Sequence, residues 1–301
     1  MSRVRELVFS HPRIYNFYLS SRIFPWIHNK YEENLVNYKF EKDLQLAKSR
    51  ILTHQLVEYM GFKMDLDPSE GHDLLFAILK DKNQVYEEEI VQYIKESGQD
   101  HIVFVDVGAN NGFYSLLVAS MSLENTIYSF EPNPSAYARL IANINTNSFK
   151  NIHPYNIALG STEGDSFLNV SGLEDGLSSL KSIKSTKTVV PVHISTLDKM
   201  LGLRKIDIIK IDVEGFEEEV MKGASQIIEY NQNIRIIFEH NKNFVNKSYD
   251  NGVSYLQSLG FNIYRIVPSS KTPLLRIPNK IGLLTSCNLL AVRGKPNRNH
   301  S

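Results

Sequence analysis

A chain of 301 residues that is 42% apolar and 22% charged has the composition of an ordinary globular protein and enough length to bury a sizeable core. Lys plus Arg equals Asp plus Glu at 33 each, which excludes a global field drawing the protein to nucleic acid or to an anionic membrane. The only cysteine, Cys287, excludes an internal disulfide and suits a reducing compartment, where it reads as a buried filler near the last strand.

The N-terminus carries Arg3, Arg5, Glu6 and His11 without a long apolar run, so it lacks the core of a signal peptide. The longest apolar run, 74–79, is too short to span a bilayer, and a soluble cytoplasmic protein is the expectation. Ile14, Phe17, Tyr18, Ile23, Phe24, Trp26 and Ile27 crowd one short stretch between Pro12 and the residues after Pro25. Mixed flanking charge favours a helix packed on the rest of the protein; a weak membrane-surface or dimer contact is the alternative. Residues 1–98 read as a mainly helical extension, most helix-like over 41–59, with a short extended piece over 61–67. A domain boundary is placed at Gly98-Gln99-Asp100, leaving a main domain over 99–294 and a polar tail over 295–301.

From His101 the pattern changes to alternating strands and helices, which implies a parallel sheet covered on both faces. Ile102, Val103, Phe104, Val105 and Val107, broken only by Asp106, form a strand buried on both faces. Gly108 and Gly112 then bracket Ala109, Asn110 and Asn111 in a turn where small side chains let backbone N–H groups approach a ligand. Phe113, Leu116, Leu117 and Met121 have helical spacing, and 126–130 is the second strand. It ends in Glu131, nineteen residues after Gly112, where a carboxylate accepts hydrogen bonds from a ribose diol. Taken singly, a glycine that ends a strand or an acid beside a proline is ordinary turn and cap chemistry. Their order and spacing together favour a nucleoside cofactor. Asn110 and Phe113 stand where a dinucleotide fingerprint needs glycines, so a cofactor without a pyrophosphate, such as S-adenosylmethionine, fits better.

Further along, 135–145 reads as a helix behind Pro134 and 152–158 as a third strand. The glycine- and serine-rich stretch 160–205 reads as an inserted hairpin, strands near 167–170 and 189–194, followed by a short helix at 197–201. Its loop, 173–185, is either a lid that sets acceptor choice or an ordinary solvated loop. Strands at 206–211 and 234–238 flank a helix over 216–229, and 261–267 and 288–292 close the sheet. Polar candidates follow the apolar runs at one sheet edge: Asp106, Glu131, Asn156 to Ala158, Asp212, Glu214, Glu239 and His240.

Asp106-Val107-Gly108-Ala109-Asn110-Asn111-Gly112, Phe130-Glu131-Pro132, Lys210-Ile211-Asp212-Val213-Glu214-Gly215 and Phe238-Glu239-His240 together resemble the FkbM-type family of S-adenosylmethionine-dependent methyltransferases. The similarity covers about residues 86–265. It implies a class I methyltransferase fold, a Rossmann-like, mostly parallel seven-stranded sheet with helices on both faces and the last strand antiparallel. It also implies methyl transfer to a hydroxyl oxygen, often in glycan or natural-product tailoring. By resemblance Asp106 lies near the methionine amino end of the cofactor and Glu131 on its ribose; Gly108, Ala109, Asn110 and Gly112 form the turn beneath it. By fold position Asn156, Ile157 and Ala158 border the adenine.

Methyl transfer to a hydroxyl needs its proton removed before or during attack. His240 is the leading candidate base because a neutral imidazole titrates near working pH, with Asp212 and Glu214 competing for the role and Asp212 also within reach of the cofactor. Glu214 alternatively caps the helix that follows. Asp212, Glu214, Glu239 and His240 offer hard oxygens and one imidazole, but their spacing is no recognised metal signature and no metal is assigned. Lys210 reads as a solvated or fold-supporting lysine, with contact to the cofactor carboxylate as the alternative, and Glu87 either as a group closing over the cofactor or as part of a charged helix face. The expected acceptor is a small molecule or glycan, without nucleic acid. A nicotinamide-dependent oxidoreductase and a non-catalytic cofactor-binding scaffold are the alternatives.

Overall fold

The structure, a computed structural model, describes residues 55–67, 73, 76, 79, 85–98, 100–170, 188–240, 252–266, 274–276 and 287–294. The aromatic N-terminal stretch, the helix expected from residue 41, the loop at 173–185 and the polar tail lie outside the described residues.

β1 (Gln55–Tyr59) and β2 (Phe62–Leu66) form an antiparallel hairpin, which corrects the expectation of helix through Tyr59. The pattern is one of period two: Val57, Tyr59, Phe62, Met64 and Leu66 are buried, while Leu56, Glu58 and Lys63 are exposed. Met60 and Gly61 turn at φ 55° and 91°, the positive values that a two-residue hairpin loop requires. α1 (Glu88–Glu96) follows and buries Ile90, Val91, Tyr93 and Ile94 on one helical stripe.

The alternating part begins with β3 (Val103–Val107), α2 (Phe113–Met121), β4 (Thr126–Phe130), α3 (Pro134–Asn147) and β5 (Ile152–Tyr155). Asn133 caps α3 by accepting from Ser135 N at 3.0 Å, with Pro134 at the first helical position, where its missing N–H costs nothing. The insert follows as β6 (Ala158–Leu159), β7 (Gly164–Val170) and β8 (Thr188–Ser195), a separate three-stranded sheet in the order β6-β8-β7. The third strand of the main sheet therefore stops at Tyr155, and Ala158 pairs with Ile194 of the insert instead.

Beyond it lie α4 (Leu197–Leu201), β9 (Ile208–Ile211), α5 (Glu217–Lys222), α6 (Ser225–Tyr230) and β10 (Arg235–His240). α7 (Val253–Ser258), β11 (Phe261–Ile266), β12 (Leu274–Arg276) and β13 (Cys287–Arg293) complete the described chain. The single helix expected over 216–229 is two, interrupted at Gly223 and Ala224, and Gly223 lies so close to the Gly160 carbonyl oxygen that a Cβ there would come within 1.9 Å of it. The chain breaks there, and the Asp198 carboxylate caps the second helix by accepting from Gln226 N at 3.0 Å and Ile227 N at 2.9 Å.

The main sheet runs β12-β11-β13-β10-β9-β3-β4-β5. β5, β4, β3, β9 and β10 are parallel, and β13 is antiparallel to both β10 and β11. This is the expected class I, Rossmann-like sheet of seven strands; the three-residue β12 adds an eighth at the edge. On one face Val105, Val107, Ile209, Ile211, Ile236 and Phe238 pack against Leu197, Val220, Met221, Ile227 and Leu256. Each such side chain contributes roughly 1.5–3 kcal/mol on burial. By strand alternation Asp106, Lys210 and Glu239 point to the opposite face, towards α1 and α2. Strand order reverses between β3 and β9, so the ligand crevice opens at their carboxyl ends. Among the described residues no helix is long and apolar enough to cross a membrane.

Candidate functional site

The turn after β3 is fixed by contacts that leave no room for side chains. Gly108 has φ 81°, and a Cβ there would lie 2.0 Å from the Asp212 carbonyl oxygen. The backbones of the two strand exits touch, and Asp212 N donates to Val107 O at 2.9 Å. Gly108 N and Ala109 N both donate to Phe130 O, at 2.9 and 3.0 Å. Gly112 has φ 92°, and its added Cβ would lie 2.5 Å from Leu140 Cδ1. Asn110, at φ 50°, carries a buried Oδ1 with no hydrogen-bond partner among the described residues. A buried acceptor left open at a ligand crevice is a group waiting for a donor.

Glu131 follows β4 and is buried. Its two carboxylate oxygens accept from Asn110 N and Asn133 N, each at 2.8 Å. Burial pushes its pKa up to about 7 against the pull of those two N–H groups. Asn156, after β5, donates Nδ2 to the carbonyls of Glu131 and Pro132 at 2.8 and 3.1 Å, so it holds the exit of the neighbouring strand. Ile157 is half-buried beside it, and Ala158 opens β6.

Register arranges the remaining polar groups in rows. Asp106 pairs with Lys210 across β3 and β9, and Glu239 pairs with Asn288 across β10 and β13. Asp106 is fully buried, its Oδ2 accepting from Ser115 Oγ at 2.6 Å, with Ser129 Oγ 2.7 Å from Ser115. Burial raises its pKa, opposed by Lys210 and the serine bond. Lys210 Nζ, also buried, donates to Asp212 Oδ2 at 2.7 Å and sits 4.5 Å from the centre of the Tyr114 ring. Burial works against its charge, but Asp212, Glu87 and Asp106 outweigh that and hold the ammonium pKa above its usual value.

Glu87 closes this group from above. It turns at φ 41°, accepts from Tyr114 Oη at 2.5 Å and from Asn288 Nδ2 at 2.9 Å. Glu239 is pushed up to about 8, first by burial and then by the Asp212, Glu217 and Glu87 carboxylates. A carboxyl that titrates there is matched to proton transfer near neutral pH.

The sequence candidates therefore separate. Asp106, Gly108, Glu131 and Asp212 meet at the ends of three adjacent strands. Asp106 lies beneath the turn, in contact with Ser115. His240 ends β10 one residue past Glu239, so alternation places it with Phe238 on the opposite face from Asp212. Glu214 is exposed at φ 51° in the turn after β9, and the backbone N–H groups of Val213 and Gly215 are taken by Glu217 Oε1, at 3.4 and 2.9 Å. Among the described residues no three His, Cys, Asp or Glu side chains converge as a metal site. Cys287 opens β13 half-buried, and burial pushes its thiol up to about 11.

Sequence reasoning missed Tyr114, Ser115, Glu217 and Asn288. Tyr114 and Ser115 were readable as polar-tipped residues in an otherwise apolar first helix turn; Asn288 reaches Glu87 across 201 residues and left no local signal.

The family model described as "Methyltransferase FkbM domain" matches residues 106–263, just over half of the chain. The hexuronic acid methyltransferase AglP of Haloferax volcanii is 25% identical over 143 residues, 48% of this chain and 58% of that protein. Methyltransferase 1 of Beauveria bassiana is 24% identical over 146 residues, 41% of this chain and 59% of that one. The matches thus span less than two thirds of either relative. Among solved structures, M. jannaschii TYW2 in complex with AdoMet aligns with a TM-score of 0.40 at 15% identity, over 80% of this chain and 87% of that one.

Proposed function

This chain belongs to the FkbM methyltransferase family, and we propose that it transfers the methyl group of S-adenosylmethionine to a hydroxyl oxygen of a saccharide or glycosylated small molecule. The observation that carries the cofactor reading is the junction of the Gly108–Gly112 turn with Glu131, whose carboxylate is held by Asn110 N and Asn133 N at the reversal of strand order. The open Asn110 Oδ1 suits a ligand that offers a hydrogen-bond donor, such as an ammonium. The saccharide acceptor is supported by the similarity to a hexuronic acid methyltransferase. The oxidoreductase alternative finds no counterpart, since the turn lacks the glycines of a dinucleotide seat and the family match is to methyltransferases.

When bound, the cofactor supplies an electrophilic sulfonium methyl. Glu131 accepts from the ribose hydroxyls, the turn and Asn110 hold the methionine part, and Asn156, Ile157 and Ala158 border the adenine. We assign the acceptor's proton to Glu239, whose carboxyl titrates at about 8 and lies on the face of Asp212. Asp212, anchored by Lys210, orients the acceptor. A free Cys287 and the soluble cofactor suit a cytoplasmic setting.

The test is calorimetric binding of S-adenosylmethionine, S-adenosylhomocysteine and NAD to wild type and Glu131→Ala, followed by methyl transfer onto neutral and acidic saccharides by Glu239→Gln, Asp212→Asn, Glu214→Gln and His240→Ala. The reading requires adenosyl-ligand binding that Glu131→Ala weakens, no NAD binding, and loss of turnover in Glu239→Gln with binding retained. Turnover lost in His240→Ala but kept in Glu239→Gln would return the base to the imidazole.

A further inference from the structure

Asp73 is completely buried, and a carboxylate without solvent persists only where partners offset its desolvation. Its Oδ1 accepts from Asn111 Nδ2 at 2.6 Å, its Oδ2 accepts from Asp67 N at 3.0 Å, and Arg139 Nε stands 3.7 Å from Oδ2. Asn111 is itself buried inside the Gly108–Gly112 turn. Its carbonyl accepts from Asn143 Nδ2 at 2.9 Å, and Asn143 Oδ1 in turn accepts from Asp65 N at 2.8 Å. A closed ring of bonds thus runs from the end of β2 through Asn143 and Asn111 to Asp73 and back to Asp67. Next to it, Tyr59, Phe62 and Phe76 pack on Phe113, the first residue of α2, with ring centres 5.9, 5.9 and 4.9 Å away.

The turn is therefore gripped from both sides. Glu131 holds the Asn110 amide at its front, while Asp73 and Asn143 hold the next residue at its back. Asn110 is in a left-handed conformation, which a non-glycine residue keeps only where its surroundings enforce it. The hairpin and Asp73 precede β3, yet they hold the segment whose backbone would face the cofactor.

We propose that Asp73 is a positioning residue for the cofactor site, acting through Asn111, and that the β1–β2 hairpin with Asp73 is a brace that preorganises the turn. This rests on the cofactor reading above. A preorganised site loses affinity when its support is removed, even though no ligand contact is touched.

The experiment measures S-adenosylhomocysteine affinity by calorimetry and stability by urea unfolding in the full chain, for Asp73→Ala, Asp73→Asn, Asn111→Ala and Asp73→Ala/Asn111→Ala. Leu256→Ala, in the core on the other face of the sheet, is the control for lost stability alone. Asp73→Ala and Asn111→Ala should each weaken binding about tenfold, and the double variant no further, because one hydrogen bond carries both effects. Asp73→Asn, which keeps one acceptor for Asn111, should recover part of the affinity. Leu256→Ala should unfold earlier and bind as wild type does.

Wild-type affinity in Asp73→Ala, or fully additive losses in the double variant, would overturn the brace. If Asp73→Ala does not fold, the decision passes to Asp73→Asn and Asn111→Ala: unchanged affinity in both overturns it equally. No binding by wild type would instead refute the cofactor reading, with Glu131→Ala as its own indicator.

Discussion

Replacing Gly108 by alanine tests whether the two strand exits touch as described. Two costs add. An alanine at φ 81° is strained by about 1–2 kcal/mol. The new Cβ would also sit 2.0 Å from the Asp212 carbonyl oxygen, a backbone atom that cannot rotate away. Relief requires separating the end of β3 from that of β9, at an overpacking cost of about 1–3 kcal/mol, plus about 1 kcal/mol if the bond from Asp212 N to Val107 O breaks. The expected loss is about 2–5 kcal/mol with that bond kept and about 3–6 kcal/mol with it broken, a large part of the stability of an ordinary domain. Gly260 is the matched control, with φ 83° and nothing within 4 Å of its added Cβ, so Gly260→Ala should lose only the strain. Urea unfolding midpoints at unchanged slope give both numbers, and calorimetry of folded Gly108→Ala should show cofactor affinity lost as well. Equal losses of stability in the two variants, with affinity intact in Gly108→Ala, would refute the packing of the turn on Asp212.

Cofactor affinity should rise with pH, because Glu131 titrates at about 7 and ribose hydroxyls donate to its ionised form. Binding should tighten about tenfold between about pH 6 and about pH 8 with release of a proton, read from calorimetry in buffers of different ionisation heat, and Glu131→Gln should remove the slope. Glu239, raised from 4.5 to about 8, contributes stability that is complete below the unfolded value and is lost as pH rises through about 8; Glu239→Gln should flatten the decline of the unfolding midpoint over that window. Lys210→Met should cost about 3–5 kcal/mol in urea unfolding, since it leaves the buried carboxyl of Asp106 and the neighbouring Asp212 and Glu87 without their cation. Less than about 1 kcal/mol would mean those carboxyls are already neutral.

The parallel strands were legible because burial on both faces leaves near-continuous apolar runs: Val103–Val107 is broken only by Asp106 and Ile208–Ile211 only by Lys210. The insert's hairpin and the helix at Leu197–Leu201 were legible for the same local reason. Three elements were misread, two of them where tertiary contact outranks local pattern. The helix over 216–229 is interrupted at Gly223, and its second half starts from a cap supplied by Asp198, a residue that no window around the break contains. Ala158 left the main sheet for the insert because its partner, Ile194, lies on a strand whose position no local window contains. Gln55–Tyr59 is a different failure, since the alternation and the Met60-Gly61 turn were present in the letters and the helical reading of the preceding stretch was carried across them.

For the site, the letters named the strand ends but not the faces. Glu131, Gly108 and Asp212 follow their strands directly, so their meeting depends only on strand order. Which of Glu239 and His240 shares the face of Asp212 depends on register, and register here can be counted: Ile211 pairs with Phe238, and Asp212 therefore neighbours Glu239. The apolar residues Ile236 and Phe238 belong to the core of the opposite face, and His240 continues their parity. Period-two counting back from the core assigns Glu239 to the row of Asp106, Lys210 and Asp212 before any side chain is placed. On that face Lys210 pairs in register with Asp106 and donates to Asp212, one register step from Glu239. Burial, then the Asp212, Glu217 and Glu87 carboxylates, raise Glu239 to about 8, which is the ground for proposing this carboxyl, rather than the imidazole one residue on, as the group that takes the acceptor's proton.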